Sequence, residues 1–310
     1  MEVLRVQLIY ENVDITAQVD IVSALNRDVA GCRCDGMEIV FEDGGKWMGW
    51  KPAEGDRLQV VLDGYNTGDL FINTILPEEG RYRVFLSSMP KMAGGRRNAS
   101  YEGKTLNEMM ALCASECGMR SALYGVDGGL RYPYLLRENE SAPAFLSRIL
   151  EREGATLKIS GGEMKAIGVE YAQKREAVKS LEVKTDGPGC RYIRHERRRL
   201  QGLTIVSPYA RASAVDRAEK RLIWDVRTDI PAENAAVAGR YARGLLLMNN
   251  RKAEEMTLQM EFDPAMTALE RVDILSTGDA GGRWLVEDLE HDFINRKSRV
   301  KMLRCVESIW

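Results

Sequence analysis

Short apolar strands separated by turns fill both ends of this chain, and helical segments interrupt them in the middle. Near the start, apolar residues such as Val6 and Leu8 alternate with polar ones, as expected for strands that bury one face. Turns rich in Gly and Asp, for example at 43–45 and 63–64, separate successive strands. Several short strands at this spacing predict a small β-barrel or sandwich over residues 1–92.

The period changes after residue 92, and the sequence predicts a small α+β domain over 93–175. Residues 105–108 read Thr-Leu-Asn-Glu, a capping box that marks the start of a helix. A second helix is predicted from Ser141 to Gly154, with apolar residues on one face. Two strands flank the glycine pair 161–162, which predicts a hairpin.

The strand pattern returns in the third part, which we expect to form a domain over 176–310. One long helix interrupts it at about 232–249. Apolar residues at helical spacing predict its buried face: Ala235, Ala238, Tyr241 or Ala242, Leu245 and Met248. The fold class predicted for the whole chain is therefore mainly β (α+β).

An internal echo links the two β-rich ends of the chain. Residues 68–75 resemble 282–289, because in both a glycine leads into an apolar strand. Each is preceded by a strand of similar pattern, at 58–60 and 272–274. Two interpretations stay open: many β-hairpins share this pattern, or the β-domain is duplicated with the α+β unit inserted between the copies.

Composition and charge exclude several classes of protein. The 310 residues include 44 Lys and Arg against 46 Asp and Glu, whereas proteins that grip nucleic acid usually carry a basic excess. No apolar run approaches the ~20 residues that cross a bilayer. Early charges at Glu2 and Arg5 make a secretory signal unexpected. The two histidines, His195 and His291, are far apart in sequence, which disfavours a metal site built from neighbouring imidazoles.

We expect the six cysteines to be free thiols, since nothing in the sequence directs the chain to an oxidising compartment. Cys113 and Cys117 share a face if they lie on a helix. No second pair at metal-site spacing accompanies them, so they are expected to pack in the core as small apolar residues.

No catalytic or cofactor-binding residues are predicted. Residues 103–105 read Gly-Lys-Thr, like the end of a P-loop, but Asn98 occupies the position of the first glycine. The capping box already explains Thr105. No nucleophile elbow or zinc-helix motif occurs, and a carboxylate pair cannot be judged from spacing alone because it depends on distance across a cleft.

The candidate interface residues are arginines and tryptophans. The run 194–199 is the strongest charge cluster, and its pattern favours a solvated strand or the rim of a protein interface over a nucleic-acid site. A tryptophan at the end of a chain or beside a turn is expected to pack on its own domain or on a partner. The candidates are Trp47, Trp50, Arg194, Arg197, Arg198, Arg199 and Trp310.

The order of several motifs resembles a known family. Residues 50–58 read WKPAEGDRL, 68–72 read GDLFI and 103–110 read GKTLNEMM. A helix then ends in ECGM at 116–119, and ESAPAFLSRILEREGA follows at 140–155. Each motif alone is degenerate, but together they resemble the phage late control D family, the baseplate hub proteins of contractile tails.

The resemblance implies a structural role without enzymatic activity or cofactor. Family members carry two barrels similar to the tail-tube barrel, and three copies form a ring of six. Such a homotrimer joins a six-fold tail tube to a three-fold spike. The implied partners are other copies of the chain, the tube protein, the spike protein, the tape-measure protein and other baseplate proteins, with no membrane and no specific nucleic acid.

The implied location is the baseplate of a virion or a tail-like particle that is assembled in the bacterial cytoplasm. The chain is short for the family, so no fused spike or lysozyme domain is expected. Two other functions stay open: a tail-tip peptidoglycan hydrolase, and a tail-tip component of a non-contractile tail.

Overall fold

The computed structural model describes residues 6–31, 33–42, 49, 51–185, 187–276 and 278–309. Strands make up 49% of the protein and helices 18%, which confirms the mainly β class. The strands of the first part are β1 (Gln7–Tyr10), β2 (Val13–Asp14), β3 (Asp20–Val29), β4 (Gly36–Glu42), β5 (Arg57–Leu62), β6 (Tyr65–Asn66), β7 (Leu70–Glu78) and β8 (Arg81–Ser87).

The later elements follow in chain order. The middle part contains β9 (Arg96–Thr105), α1 (Leu106–Glu116), β10 (Arg120–Tyr124), β11 (Arg131–Ser141), α2 (Ala142–Arg152), β12 (Ala155–Ser160), β13 (Glu163–Gly168) and α3 (Val169–Lys174). The last part contains β14 (Lys179–Glu182), β15 (Cys190–Arg194), β16 (Gly202–Ser207), β17 (Ala210–Val215), β18 (Trp224–Arg227), α4 (Ala235–Asn250), β19 (Glu254–Glu261), β20 (Arg271–Leu275), β21 (Gly282–Asp292) and β22 (Lys297–Arg304).

One large sheet runs through both ends of the chain. Its strand order is β15-β19-β22-β21-β3-β4-β8-β7-β5-β1-β2, with β20 and β14 branching from β21 and β6 from β5. Among the described residues these pairs form an open path, so hydrogen bonding does not close either of the barrels that the sequence suggested. Instead, the two β-rich ends join side by side through the antiparallel pair β3 and β21.

The two halves of this sheet repeat one strand order. The first half runs β5-β7-β8-β4-β3, and the second runs β20-β21-β22-β19-β15. The register also repeats, because Leu58 lies opposite Leu70 and Val272 lies opposite Trp284. These are the segments in which the sequence echo was found.

The repeat extends across five strands and includes an irregularity. A β-bulge interrupts β7 between Ile72 and Thr74, and another interrupts β21 between Val286 and Asp288, at the same place in the echo. A row of directly paired residues crosses each half, and the two rows are Ile72-Leu86-Met37-Asn26 and Val286-Met302-Met256-Tyr192. Order, register and bulge therefore favour duplication over the chance similarity of two hairpins.

The middle part contains the helices and hairpin that the sequence predicts. Thr105 caps α1 in a complete capping box with Glu108, and Ser141 caps α2. The strands β12 and β13 pair on either side of Gly161 and Gly162. Both glycines have positive φ angles, 58° and 73°, a conformation that costs energy for residues with a Cβ.

The two neighbouring cysteines lie in the core of the middle part, as predicted. The exposed fraction is 0% for Cys113 and 1% for Cys117. Burial raises the pKa of Cys113 to about 12 and that of Cys117 to about 11, so both stay protonated and unreactive at neutral pH.

The buried face of α4 differs in part from the predicted one. Ala238, Tyr241 and Ala242 are buried as expected, but Ala235 is exposed and Leu245 is only partly buried. The helix packs on β16 and β17 along one side and on α2 along another. Because α4 is contacted on two sides, its buried surface differs from a single apolar stripe. It includes Gly244, Leu246 and Leu247, which the predicted stripe leaves out.

Replacing Gly244 with alanine should destabilise the protein, although alanine is favoured over glycine in helices by about 1 kcal/mol. A Cβ at this position would lie 2.2 Å from the carbonyl oxygen of Arg152 and 2.5 Å from the amide nitrogen of Gly154. Backbone atoms cannot move aside, so overpacking should cost about 1–3 kcal/mol of unfolding free energy. Urea denaturation measures this change.

Gly239→Ala is the matched control on the same helix. Its Cβ would meet only the Cβ of Ala212, at an ordinary 3.7 Å. This variant should be about 0.5–1 kcal/mol more stable than the parent. Equal stabilisation by both substitutions would contradict the close approach of α4 to the end of α2.

Candidate assembly surface

The tryptophans among the candidate interface residues lie outside the described residues: Trp47, Trp50 and Trp310. The arginine candidates start at the end of β15, where Arg194 is the last strand residue. Arg197 and Arg198 are exposed in the turn that follows, and Arg199 is half-buried.

Acidic residues of the same chain balance much of this arginine run. Arg194 lies 3.4 Å from a carboxylate oxygen of Asp279, and Arg198 lies 3.4 Å from Glu255. A phosphate backbone would have to compete with these carboxylates. These intramolecular ion pairs weaken the attraction of the arginine run for an anionic partner.

Arg199 has an internal role. Its Nε donates a hydrogen bond of 2.9 Å to Asp216, whose side chain is fully buried. Asn250 and Ser308 donate to the same carboxylate. Burial raises the pKa of Asp216, but hydrogen bonds from Arg199 and Ser308 outweigh it and lower the pKa below its usual value. The Asp216 carboxylate thus links Ser308, the segment before β16 and the end of α4.

The strand β15 presents an unpaired outer edge. Among the described residues it pairs with β19 alone. The amide of His195 donates to Ala253, and the carbonyl of Gly189 accepts from Gln259, so odd-numbered residues face β19. Because backbone groups alternate along a strand, those of Tyr192 and the other even-numbered residues face outward.

The second unpaired edge belongs to β7, beyond its bulge. The strand β5 pairs with β7 only at Leu70 and Phe71. Residues Thr74–Glu78 pair with β8 on one side and have no strand on the other side among the described residues. Leu76 is 43% exposed on this segment.

The corresponding segment in the second half of the sheet is covered. Residues 288–292 of β21 pair with residues 25–29 of β3. Arg27 and Arg33 of the first half contact the carboxylate of Asp288 at 3.0 Å and 2.9 Å. In the second half of the sheet, the segment of β21 that corresponds to the unpaired part of β7 is therefore covered by β3. This pairing is a pattern for how a strand can cover the unpaired part of β7.

Arg194 was among the residues predicted from the sequence, whereas the β7 edge and the junction strand β3 were not. The signal was present in the echo. Once residues 68–75 are matched with 282–289, the segment after each match occupies an equivalent place. What the sequence could not show is that one segment is paired and the other is not.

A buried charge cluster lies beside this junction. Lys158 of β12 donates to Asp28, to Asp35 and, at 3.1 Å, to the carbonyl of Val29. Burial lowers the pKa of Lys158, but the two carboxylates outweigh it and raise the pKa. The cluster fastens the middle part to β3 and borders a cleft of about 560 Å³.

Asp35 should make the stability of the protein depend on pH. Burial, followed by the charge of Asp28, raises the pKa of Asp35 to about 6, above the ~3.9 of an unfolded chain. Between these values the folded state holds a proton that the unfolded state lacks. Stability from this group therefore falls as pH rises from about 4 to about 6 and is flat above.

The variant Asp35→Asn removes this dependence. It should be more stable than the parent at pH 7.5, by about 1–3 kcal/mol, and the gain should shrink toward pH 5. Asp288→Asn is a control of opposite sign: burial raises the pKa of Asp288, but hydrogen bonding and charge from Arg27 lower it overall. Urea denaturation between pH 5 and pH 8 measures both, and a gain for Asp35→Asn that grows toward pH 5 would contradict the assignment.

The two histidines serve separate structural contacts. His291 is buried, with Nδ1 2.7 Å from Ser298 Oγ and Nε2 3.3 Å from the carbonyl of Met266, and burial lowers its pKa. His195 lies 3.4 Å from Glu255. Across the described ranges, no group of three or more His, Cys, Asp or Glu is placed to hold a metal ion, and no helix has the length and apolar character to cross a bilayer.

No protein-family model matches the chain, and no curated protein matches it. Solved structures do. A 43 kDa tail protein of prophage MuSo2 from Shewanella oneidensis superposes with a TM-score of 0.72 at 13% identity, covering 97% of this chain and 98% of that one. A tail protein from Neisseria meningitidis MC58 gives 0.74 at 11% identity, covering 97% and 96%.

A third similar structure comes from a secretion system. The Escherichia coli c3393 protein, a component of the type VI secretion system described as similar to the T4 bacteriophage tail proteins gp27 and gp5, gives a TM-score of 0.62 at 14% identity. The match covers 97% of this chain and 77% of the Escherichia coli protein. At these identities the likeness shows the fold, so the chain has the fold of these tail and secretion proteins.

Proposed function

We propose that this chain is a structural hub at the tip of a contractile tail, of the late control D type. One observation carries the proposal: the chain contains two β units of the same strand order and register, joined edge to edge. Such a chain contributes two equivalent β units to an assembly, whereas a subunit with a single β unit contributes one.

This duplication resolves a mismatch of symmetry. Three copies with two units each place six similar units around one axis. Such a ring can contact a six-fold tube on one face and a three-fold spike on the other. The interfaces are heterologous, and the ring closes if each step rotates by the right angle.

The comparisons support the proposal at the level of fold. The Shewanella oneidensis and Neisseria meningitidis proteins are tail proteins, and the Escherichia coli protein is described as similar to both gp27 and gp5. The partners of the proposed hub are the tube protein, the spike protein, the tape-measure protein and other baseplate proteins, and its place is the baseplate of the particle.

The test is reconstitution with neighbouring gene products. The purified chain is mixed with the tube and spike proteins encoded beside it, separately and together, and complexes are separated by size. The proposal expects a complex that contains tube and spike only when the chain is present. Absence of binding to both would contradict it.

Two further results bear on the type of tail and on catalysis. A sheath gene next to the chain supports a contractile tail, and its absence points to a non-contractile tail tip. We also propose that the chain is not an enzyme, since Lys158 binds the buried carboxylates Asp28 and Asp35 beside the cleft. Robust digestion of purified cell walls by the chain would overturn this part of the proposal.

A further inference from the structure

The junction inside the chain shows how two of its β units fit together. The distal part of β21 pairs antiparallel with β3, with Leu289 opposite Asp28 and His291 opposite Asn26. The amide of Phe293 donates to the carbonyl of Ala24 at 2.9 Å, so alternate residues supply the connecting hydrogen bonds.

Each strand of this junction has a counterpart whose outer edge pairs with no other strand among the described residues. The residue rows that cross the sheet place Tyr192 of β15 where Asn26 lies in β3. Continuing the match of 68–75 with 282–289 past the bulge, in the register of the hairpins with β8 and β22, places residues 74–78 of β7 where residues 288–292 lie in β21. One free edge of the chain is thus equivalent to β3 and the other to the distal part of β21.

We infer that a second copy of this chain docks here, with residues 74–78 of β7 in one copy pairing antiparallel with residues 191–195 of β15 in the next. Transfer of the internal register sets Leu76 opposite Ile193, and Glu78 opposite Arg191. This inference rests on the proposed ring and names the strands that close it.

The side chains at the two edges fit this register. Leu76 is 43% exposed and Ile193 is partly exposed, so pairing would bury an apolar contact on one face of the sheet. Glu78 and Arg191 are both exposed and have opposite charges. Glu78 also contacts Arg83 of its own chain through Oε1 at 2.7 Å. A cross-strand pair of opposite charge, here Glu78 with Arg191 of the next copy, adds stability.

Proline limits how strongly the edges pair. Pro77 lies at the place of His291 when the match is continued past the bulge. Its backbone faces outward because Glu78 and Arg81 close the hairpin with β8. It has no N–H to donate to Tyr192, although its carbonyl can accept. Proline on an edge strand also guards against indiscriminate pairing. The contact between copies should therefore be weaker than the contact inside the chain.

Disulfide trapping tests the register. In the full chain carrying Leu76→Cys and Ile193→Cys, the two thiols would face each other across a non-hydrogen-bonded pair, where Cα atoms are about 4.5 Å apart, within the range of a disulfide. Oxidation at high protein concentration should give covalent dimers and a closed covalent trimer on non-reducing gels. The single variants measure the background from native cysteines.

The matched control shifts the register by one residue. Leu76→Cys with Arg194→Cys places the second thiol on the opposite face of the sheet, so it should give at least tenfold less cross-linked product. Equal cross-linking of both pairs, or no product above the single variants, would overturn the inference.

Two substitutions test the chemistry of the contact by sedimentation. Arg191→Glu should weaken self-association, and Glu78→Arg in the same chain should restore it. Pro77→Thr should strengthen self-association about two- to tenfold, because it restores one hydrogen bond. If Arg191→Glu and Pro77→Thr leave the association constant unchanged, these edges do not form the interface.

Failure of this inference can be told apart from failure of the proposed function. Trapped trimers that bind neither tube nor spike would keep the interface and contradict the hub. Binding of tube and spike without cross-linking in the bound state would keep the hub and contradict these strands as its interface.

Discussion

Replacing Lys158 with methionine should lower the unfolding free energy by about 3–5 kcal/mol. The side chains of Lys158 and Asp28 are 8% and 6% exposed, and that of Asp35 is 10% exposed. Methionine fills a similar volume but leaves two carboxylates buried without a cation, and this uncompensated charge is the source of the loss. Urea denaturation at pH 7.5 measures it.

The triple variant Lys158→Met, Asp28→Asn, Asp35→Asn should recover most of that loss. Replacing all members of a buried ionic group by neutral ones is often close to neutral for stability. Lys165→Met is the control for removing a lysine from the same hairpin, since Lys165 is only partly buried. A loss below about 1 kcal/mol for Lys158→Met would contradict a cluster that fastens the middle part to β3.

Replacing Trp284 with alanine should cost about 3–5 kcal/mol. The side chain is fully buried in the second β unit. Its Nε1 donates to the carbonyl of Ala280 at 2.9 Å, and the guanidinium of Arg304 lies 5.1 Å from its ring. The substitution removes the largest apolar side chain of this core and leaves a cavity, which thermal or urea unfolding would detect.

Trp224→Ala is the matched control for loss of an indole. Trp224 is 44% exposed, and its Nε1 donates to Thr204 at 2.7 Å. Losing this bond and a partly exposed ring should cost about 1 kcal/mol. Equal losses at Trp284 and Trp224 would show that the repeated sheet does not hold the main core of the second unit.

Local sequence signals predicted the elements that depend on neighbouring residues. The capping box at Thr105, the helix start at Ser141 and the glycine pair 161–162 each depend on a few neighbouring residues, and all three appear in the structure. Several strands were not predicted, among them β3, β9, β10, β11 and β17. For β10 and β17 the reason is that short, half-buried strands carry little periodicity.

Long-range pairing could not be read from the sequence. The junction of β3 with β21 joins residues such as Asp28 and Leu289, and no local pattern indicates which edges meet. The same holds for Lys158, whose partners Asp28 and Asp35 lie far away in the chain. The arginine run was visible, but its carboxylate partners were not.

Of the sequence signals, only the echo related the two distant β-rich ends of the chain. The match of 68–75 with 282–289 left duplication open as one of two interpretations, and the structure shows a shared strand order, register and bulge at these segments. The echo is visible because the buried positions and the glycine before the strand are fixed by pairing with neighbours. Between the strands, where the two units differ in loops and in the insertion of α4, the echo disappears.

We propose that two repeated β units in each chain let three chains form one ring on a six-fold tube. The most direct measurement is the mass of the complex between this chain and a ring of its tube protein. We expect the chain to contribute three times 34.8 kDa for every six tube subunits. A contribution of one or six copies would contradict it.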